Sequence, residues 1–344
     1  MTTLVTDALF PDCFAMNAFC ARRHSRGNLT FPVFPLREQP MTSAIATPTM
    51  HFPQVFKGAI ALIDDRDCEP TLGGNKARKL LGGILDDARA RGARVLSTCG
   101  AHGSHHVLAT AVLGAQAGFD VHALLWPQAP SLHADSVLAA GLRAGLHAHH
   151  VQTARDIPAA WAALRIALRR EAFVIPLGGS TVASLEAHAR ATVDLVAEYP
   201  NIANLDAIVL PLGSGGTALG VALGLVRALG DRGPRVEGVL VSHPSFGSPL
   251  LVEILLARAV ANGVVDSRTA RLVRSRLHTN ASYIDPGYGA ASARVLEAMK
   301  AGESLGLTLD PTYTGKAFAA ALNLAREGQR VAFWMTLGHV PAGQ

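Results

Sequence analysis

The chain has little cysteine and no pairing pattern for it. Cys13, Cys20, Cys68 and Cys99 stand at unrelated spacings among 344 residues, which argues against a disulfide framework and reads as reduced thiols. No apolar run approaches the roughly 20 residues that a membrane span requires. No compact apolar segment follows a basic start, so no secretory leader is expected. Charge is scarce too, at 17% of residues against 49% hydrophobic, a balance that suits a packed globular chain and not a disordered one. The net charge of +5 is spread over 31 Lys and Arg. Its densest patches, Arg22–Arg23 and Arg268–Arg276, have no interleaved aromatics, so no nucleic-acid face is expected. These absences leave a cytoplasmic chain of enzyme size, long enough for two lobes or one large α/β unit.

Residues 1–45 have no hydrophobic period and read as an irregular extension, with Met16 and Met41 as alternative starts. Beyond them, apolar runs and helical periods alternate. Strands are expected at Ile60–Ile63, Val95–Cys99, Val121–Trp126, Phe173–Ile175, Ala207–Leu212, Val236–Val241 and Val331–Met335. Helices are expected near 76–91, 104–117, 132–144, 158–170, 182–198, 217–229, 250–261, 291–301 and 316–326. Repeated strand, loop and helix units predict an α/β fold with doubly wound, mostly parallel sheets. Ligands of such sheets sit at the carboxyl ends of the strands, where the glycine-rich turns lie.

Three of those turns carry chemistry. Gly73-Gly74-Asn75-Lys76 precedes an amphipathic helix; the glycines permit unusual backbone angles, Asn75 is expected to cap the helix and Lys76 to open it. A lysine there faces the positive end of the helix dipole. That field favours the neutral amine, the form that attacks a carbonyl to make a Schiff base. The same residues also describe a solvated lysine after a loop, and Arg78 and Lys79 read as surface charges of the helix.

Gly213-Ser214-Gly215-Gly216-Thr217 follows the apolar strand AIVLPL and opens a helix. Its N–H groups and hydroxyls suit a phosphate, but the spacing is not that of a nucleoside triphosphate loop. It also fits a degenerate G-x-G-x-x-A dinucleotide pattern. That pattern needs an acid after the next strand, where Val241-Ser242-His243 stands instead. In the third turn, from Gly100 to His106, Ser104 near the helix start can donate to an anion. His102, His105 and His106 lack a cysteine or carboxylate to complete a ligand set, so no metal is expected. His147, His149 and His150 read as surface residues.

Together the segments resemble the pyridoxal-phosphate enzymes of fold type II, in the branch holding D-cysteine desulfhydrase and 1-aminocyclopropane-1-carboxylate deaminase. GGNKARKL is similar to the branch's cofactor-lysine motif, SHHVLATA to its S-N-H/Q segment, IPLGGST to its I-P-x-G-G-S turn and GSGGT to its phosphate loop. DPGYG and LDPTYTGKA complete an ordered series running from about Asp65 to Pro341. The resemblance implies pyridoxal 5'-phosphate on Lys76, which also moves the substrate's Cα proton. It implies phosphate contacts from Gly213, Ser214, Gly215, Gly216 and Thr217, with Asn75 beside them. Ser104 and its neighbours His105 and His106 would hold the substrate, and Tyr288 and Tyr313 would pack on the ring and handle protons.

The resemblance also places Thr314 where the deaminases carry a glutamate facing the pyridine nitrogen. A hydroxyl there implies a weaker electron sink, which suits elimination of a good leaving group. His105 replaces an asparagine near the cofactor's 3-oxygen, Leu108 and Ala109 replace polar residues, and Leu337-Gly338-His339 replaces a T-G-G-like stretch. The strand before the lysine loop lacks the usual lysine. Changes confined to ring and substrate contacts suggest a different substrate.

The expectation is therefore a two-domain enzyme, with a small domain over 79–172 and a large domain from 46–78 and 173–344. Its activity would be α,β-elimination on a small amino acid. Cyclopropane ring opening stands second, then β-replacement. A silent cofactor-binding relative and a nicotinamide dehydrogenase are the readings from other classes. A homodimer follows from the resemblance alone.

Overall fold

A computed structural model describes residues 45–51, 60–168, 172–242 and 248–339. Residues 1–44, including Cys13, Cys20, Met16 and Met41, and also His243, lie outside that description. The strands are β1 (Thr49–His51), β2 (Ile60–Asp64), β3 (Val95–Ala101), β4 (Asp120–Trp126), β5 (His147–His150), β6 (Ala172–Val174), β7 (Ala207–Leu212), β8 (Arg235–Leu240), β9 (Leu277–Asn280) and β10 (Val331–Met335). The helices are α1 (Gly74–Lys79), α2 (Leu85–Ala90), α3 (His105–Gln116), α4 (Leu132–Arg143), α5 (Ile157–Ala167), α6 (Val182–Glu198), α7 (Gly216–Leu229), α8 (Ser248–Ala261), α9 (Ser267–Arg276), α10 (Ala293–Glu303) and α11 (Thr314–Arg326).

Two sheets result, one in the order β1-β2-β10-β7-β8-β9 and the other β5-β4-β3-β6. Only the β1–β2 pairing is antiparallel among the described strands. This is the α/β fold with mostly parallel sheets expected from the alternation. β7 is buried at all six positions, as a central parallel strand covered on both faces must be. Ile208, Leu210 and Leu212 pack with residues of α6 and α7, whereas Ala207 and Val209 pack with residues of α10 and α11. In the smaller sheet Leu96, Val121 and Ala123 pack with α3, and Leu124 with Ile157 and Leu164 of α5.

The single helix expected over 76–91 is interrupted by a π-helical turn, Leu80–Ile84, between α1 and α2. Gly83 there has φ 149°, and a Cβ on Gly82 would meet the Ala187 methyl at 2.4 Å. The glycine pair lets this segment lie against α6, and the close approach is what breaks its regularity. Among the described residues no helix is long and apolar enough to cross a membrane. Cys68 and Cys99 are buried free thiols, each pushed up to about 12 by burial.

Candidate active site

A cavity of about 690 Å³ opens at the carboxyl ends of both sheets, lined by Ala101 at the end of β3 and by Gly178, Gly213, Val241 and Thr336 beyond four other strands. Lys76, Asn75, Ser104, His105, His106, Tyr288, Tyr313, Thr314 and four of the five cradle residues also line it. Gly216, the fifth, does not line it; its N–H donates to Ser180 Oγ. The residues singled out from three distant turns are thus brought together.

Gly73 and Gly74, with φ 61° and 67°, fold the lysine loop tightly. A Cβ on Gly74 would sit 2.5 Å from Gly338 N. Gly73, not Asn75, precedes the helix, so the expected Asn75 cap is corrected. The Asn75 amide instead donates to Thr217 Oγ1 at 2.9 Å, joining the lysine loop to the cradle. Burial lowers the Lys76 amine to about 8, against the pull of Asp310. Burial is thus the largest cause of its lowered basicity.

The surface reading of Arg78 and Lys79 is overturned. Arg78 is 3% exposed and Lys79 2%. Arg78 Nη2 lies 2.5 Å from Asp65 Oδ1 and 2.6 Å from the Ala46 carbonyl. Lys79 Nζ donates to the Gly178 carbonyl at 2.9 Å, and burial, reinforced by Lys76, holds its pKa well below the ordinary lysine value. Both charges have partners remote in sequence, as buried charges require.

At the cradle, Gly215 takes φ 85° and leads into α7, whose first N–H groups have no partner within the helix. Ser180 Oγ donates to Ser214 Oγ at 2.7 Å and accepts from Gly216 N at 3.2 Å. Ser180 escaped the sequence reading, although the Gly-Gly-Ser turn was its signal.

Ser104 caps α3, its Oγ accepting from Val107 N at 3.4 Å. His105 Nε2 lies 2.9 Å from His133 Nε2, with the rings stacked at 5.1 Å, and burial pushes His105 down to about 4. His106 Nε2 is 2.7 Å from Thr98 Oγ1, whose proton goes to the Ile175 carbonyl. The His106 proton therefore sits on Nε2. His149, read as a surface residue, belongs to β5 and pairs with His122 at 2.9 Å. Among the described residues no group of three or more His, Cys, Asp or Glu could hold a metal ion.

The Tyr288 and Tyr313 hydroxyls are 2.8 Å apart with rings edge-on, and burial pushes both phenols upward. Thr314 Oγ1 donates to Asp310 Oδ2 at 2.6 Å and accepts from Asp310 N at 2.9 Å. Its proton is committed, so toward any further group it can only accept. Asp310 also accepts from Thr312 N and Tyr313 N at 2.9 and 2.7 Å. This organising carboxylate was missed, its only signal being the acid four residues before Thr314.

The arrangement fits pyridoxal phosphate. The Lys76 amine has no hydrogen-bond partner among the described residues, and a glycine-rich helix start supplies N–H groups for an anion. A family model described as "Pyridoxal-phosphate dependent enzyme" matches residues 43–336. D-cysteine desulfhydrases of Salmonella typhi and Salmonella paratyphi A are each 32% identical over 289 residues, covering 80% of this chain and 85% of theirs. A crystal structure of an ACC deaminase homologue aligns with TM-score 0.69 at 26% identity, over 88% of this chain and 93% of that one. O-ureido-L-serine synthase, at TM-score 0.59 and 18% identity over 86% and 89% of the two chains, shares the fold. The dinucleotide reading of the cradle gains no support. The chain belongs to the pyridoxal-phosphate dependent enzyme family.

Proposed function

We propose that the chain catalyses α,β-elimination on a small amino acid, releasing ammonia and a keto acid, with a thiol or similar leaving group. The observation that carries the reading is one cavity holding the unpartnered Lys76 amine together with the paired Tyr288 and Tyr313 hydroxyls. The similarity to the desulfhydrases supports the same choice.

Lys76 and Asn75 would hold the cofactor at one end, Gly213 to Thr217 its phosphate, and Thr314 and His105 its ring. Pyridoxal phosphate, when bound, joins the substrate amino group and stabilises negative charge at Cα. Ser104 and the N–H groups opening α3 bind the substrate carboxylate, with His105 and His106 as neighbouring walls. The Lys76 amine, lowered to about 8, takes the Cα proton near neutrality. Tyr288 and Tyr313, protonated because burial raises them, supply the proton that the departing thiolate needs. Water then completes release of ammonia and keto acid.

The two sheets support a small domain that begins near 79 and a large one from 46–78 and most of 173–344, with β6, the edge of the smaller sheet, carrying the small domain on to Val174 rather than 172. A cytoplasmic homodimer belongs to the same proposal, resting on the resemblance, and its mass in solution tests it. The activity is tested by adding D-cysteine and then 1-aminocyclopropane-1-carboxylate to the cofactor-loaded protein. A shifted visible band with pyruvate from D-cysteine is expected. A keto acid from the cyclopropane alone would transfer the assignment to ring opening, and no turnover of a panel of small amino acids would sink it.

A further inference from the structure

Lys316 does not line the cavity, yet its side chain is wholly buried, at 0% exposure, in the first turn of α11. Its Nζ donates to the carbonyls of Gly287 at 2.7 Å, Ile284 at 2.9 Å and Val241 at 3.3 Å. An ammonium has three donors and no acceptor, so these contacts use it completely. Asp310 and Asp285 stand nearby as opposite charges.

The three carbonyls belong to two separate stretches. Val241 follows β8 and lines the cavity. Ile284 and Gly287 lie in the connection between β9 and α10 that carries Tyr288. That connection has no helix or strand under Tyr288, and the flanking Gly287 and Gly289 have φ 138° and 81°. Its backbone alone is therefore a poor guide for the ring. Tyr313, by contrast, is set at the start of α11 by Asp310. The two hydroxyls meet only if the Tyr288 segment is held against α11.

From this geometry we infer that Lys316 is a positioning residue for the tyrosine pair, clamping the Gly287 carbonyl and thereby setting Tyr288 against Tyr313. The inference rests on the proposed reading, in which these hydroxyls serve the leaving group.

A double-mutant cycle on the cofactor-loaded enzyme tests it, with Lys316→Met, Tyr288→Phe and the pair. D-cysteine is the probe, and kcat, KM and the visible band are recorded. Lys316→Met should lower kcat about 10- to 100-fold with KM changed less than about threefold, leave the band in place, and cost nothing further in the Tyr288→Phe background. Losses that multiply, or a kcat within about twofold of wild type, would overturn the assignment. Should Lys316→Met not fold, Lys316→Gln, which keeps two donors without charge, carries the same cycle. Amide exchange over 284–292 separates this inference from the activity. If wild type turns over neither D-cysteine nor any other small amino acid of the panel, the elimination reading fails alone, and the positioning role stands or falls on faster exchange there in the Lys316 variants with no change at 213–217.

Discussion

The floor and the wall of the cavity are built differently. On the floor, the lysine loop, the cradle and α1 are tied to one another: Asn75 to Thr217, Arg78 to Asp65, Lys79 to Gly178, Ser180 to Gly216. On the wall, His105 pairs with His133, and away from the cavity, in the smaller sheet, His122 pairs with His149. Interlocked floor contacts leave one amine without a partner, and this is what a covalent cofactor site needs. His105, a lining imidazole, is held by one imidazole partner rather than by such a network, a contact easier to change while the floor stays the same.

The comparison breaks most sharply at Lys76. Lys76→Ala should cost about 10³-fold or more in elimination and leave no cofactor trapped at that site on borohydride reduction, whereas Lys79→Ala should still be trapped. Trapping at the original site in the Lys76 variant would end the floor argument. Next comes Arg78→Met, which strands the buried Asp65 carboxylate and should destabilise the fold by about 3–5 kcal/mol in urea unfolding. A loss below about 1 kcal/mol would mean that Asp65 finds water instead. Gly216→Ala places a Cβ 2.6 Å from Ser180 Oγ. Cofactor affinity should fall about 10-fold while saturated kcat holds, as cofactor titration would read.

The smallest effect belongs to the imidazole pairs. Burial lowers His105 to about 4, and burial with His149 and His147 beside it lowers His122 to about 4, so both are neutral in the fold. The unfolded chain binds more protons below its ordinary imidazole pKa of about 6.5. Stability is then full above that pH and declines toward pH 4. Thermal melts at pH 7 and pH 5 should differ, and His122→Gln should narrow the gap. Equal melting temperatures would remove the imidazole titration.

Much of the fold was legible because its strongest elements are periodic and apolar. Val182–Glu198, Ala207–Leu212 and Val331–Met335 have the bounds the pattern predicts. The edge strands Thr49–His51, His147–His150 and Leu277–Asn280 were missed, being short and half polar, so that pairing rather than hydrophobicity defines them. Helix Ser267–Arg276 registered only as a basic patch. In the site, glycine-rich turns announced themselves locally. The burial of Arg78 and Lys79 did not, because Asp65 and Gly178 are partners that only the tertiary fold supplies.

β10 lies between β2 and β7 in the larger sheet, although it is the last described strand in the chain. Just beyond it, Thr336 O accepts from Asn75 N at 3.0 Å and His339 N donates to Leu72 O at 2.5 Å. The lysine loop therefore acquires its final shape from residues made more than 250 positions later. A nascent chain halted before residue 331 lacks the strand that seats that loop, however well its smaller sheet has formed. The seat for a cofactor on Lys76 is thus complete only once β10 has inserted between β2 and β7, which makes the last strand a requirement of the first motif.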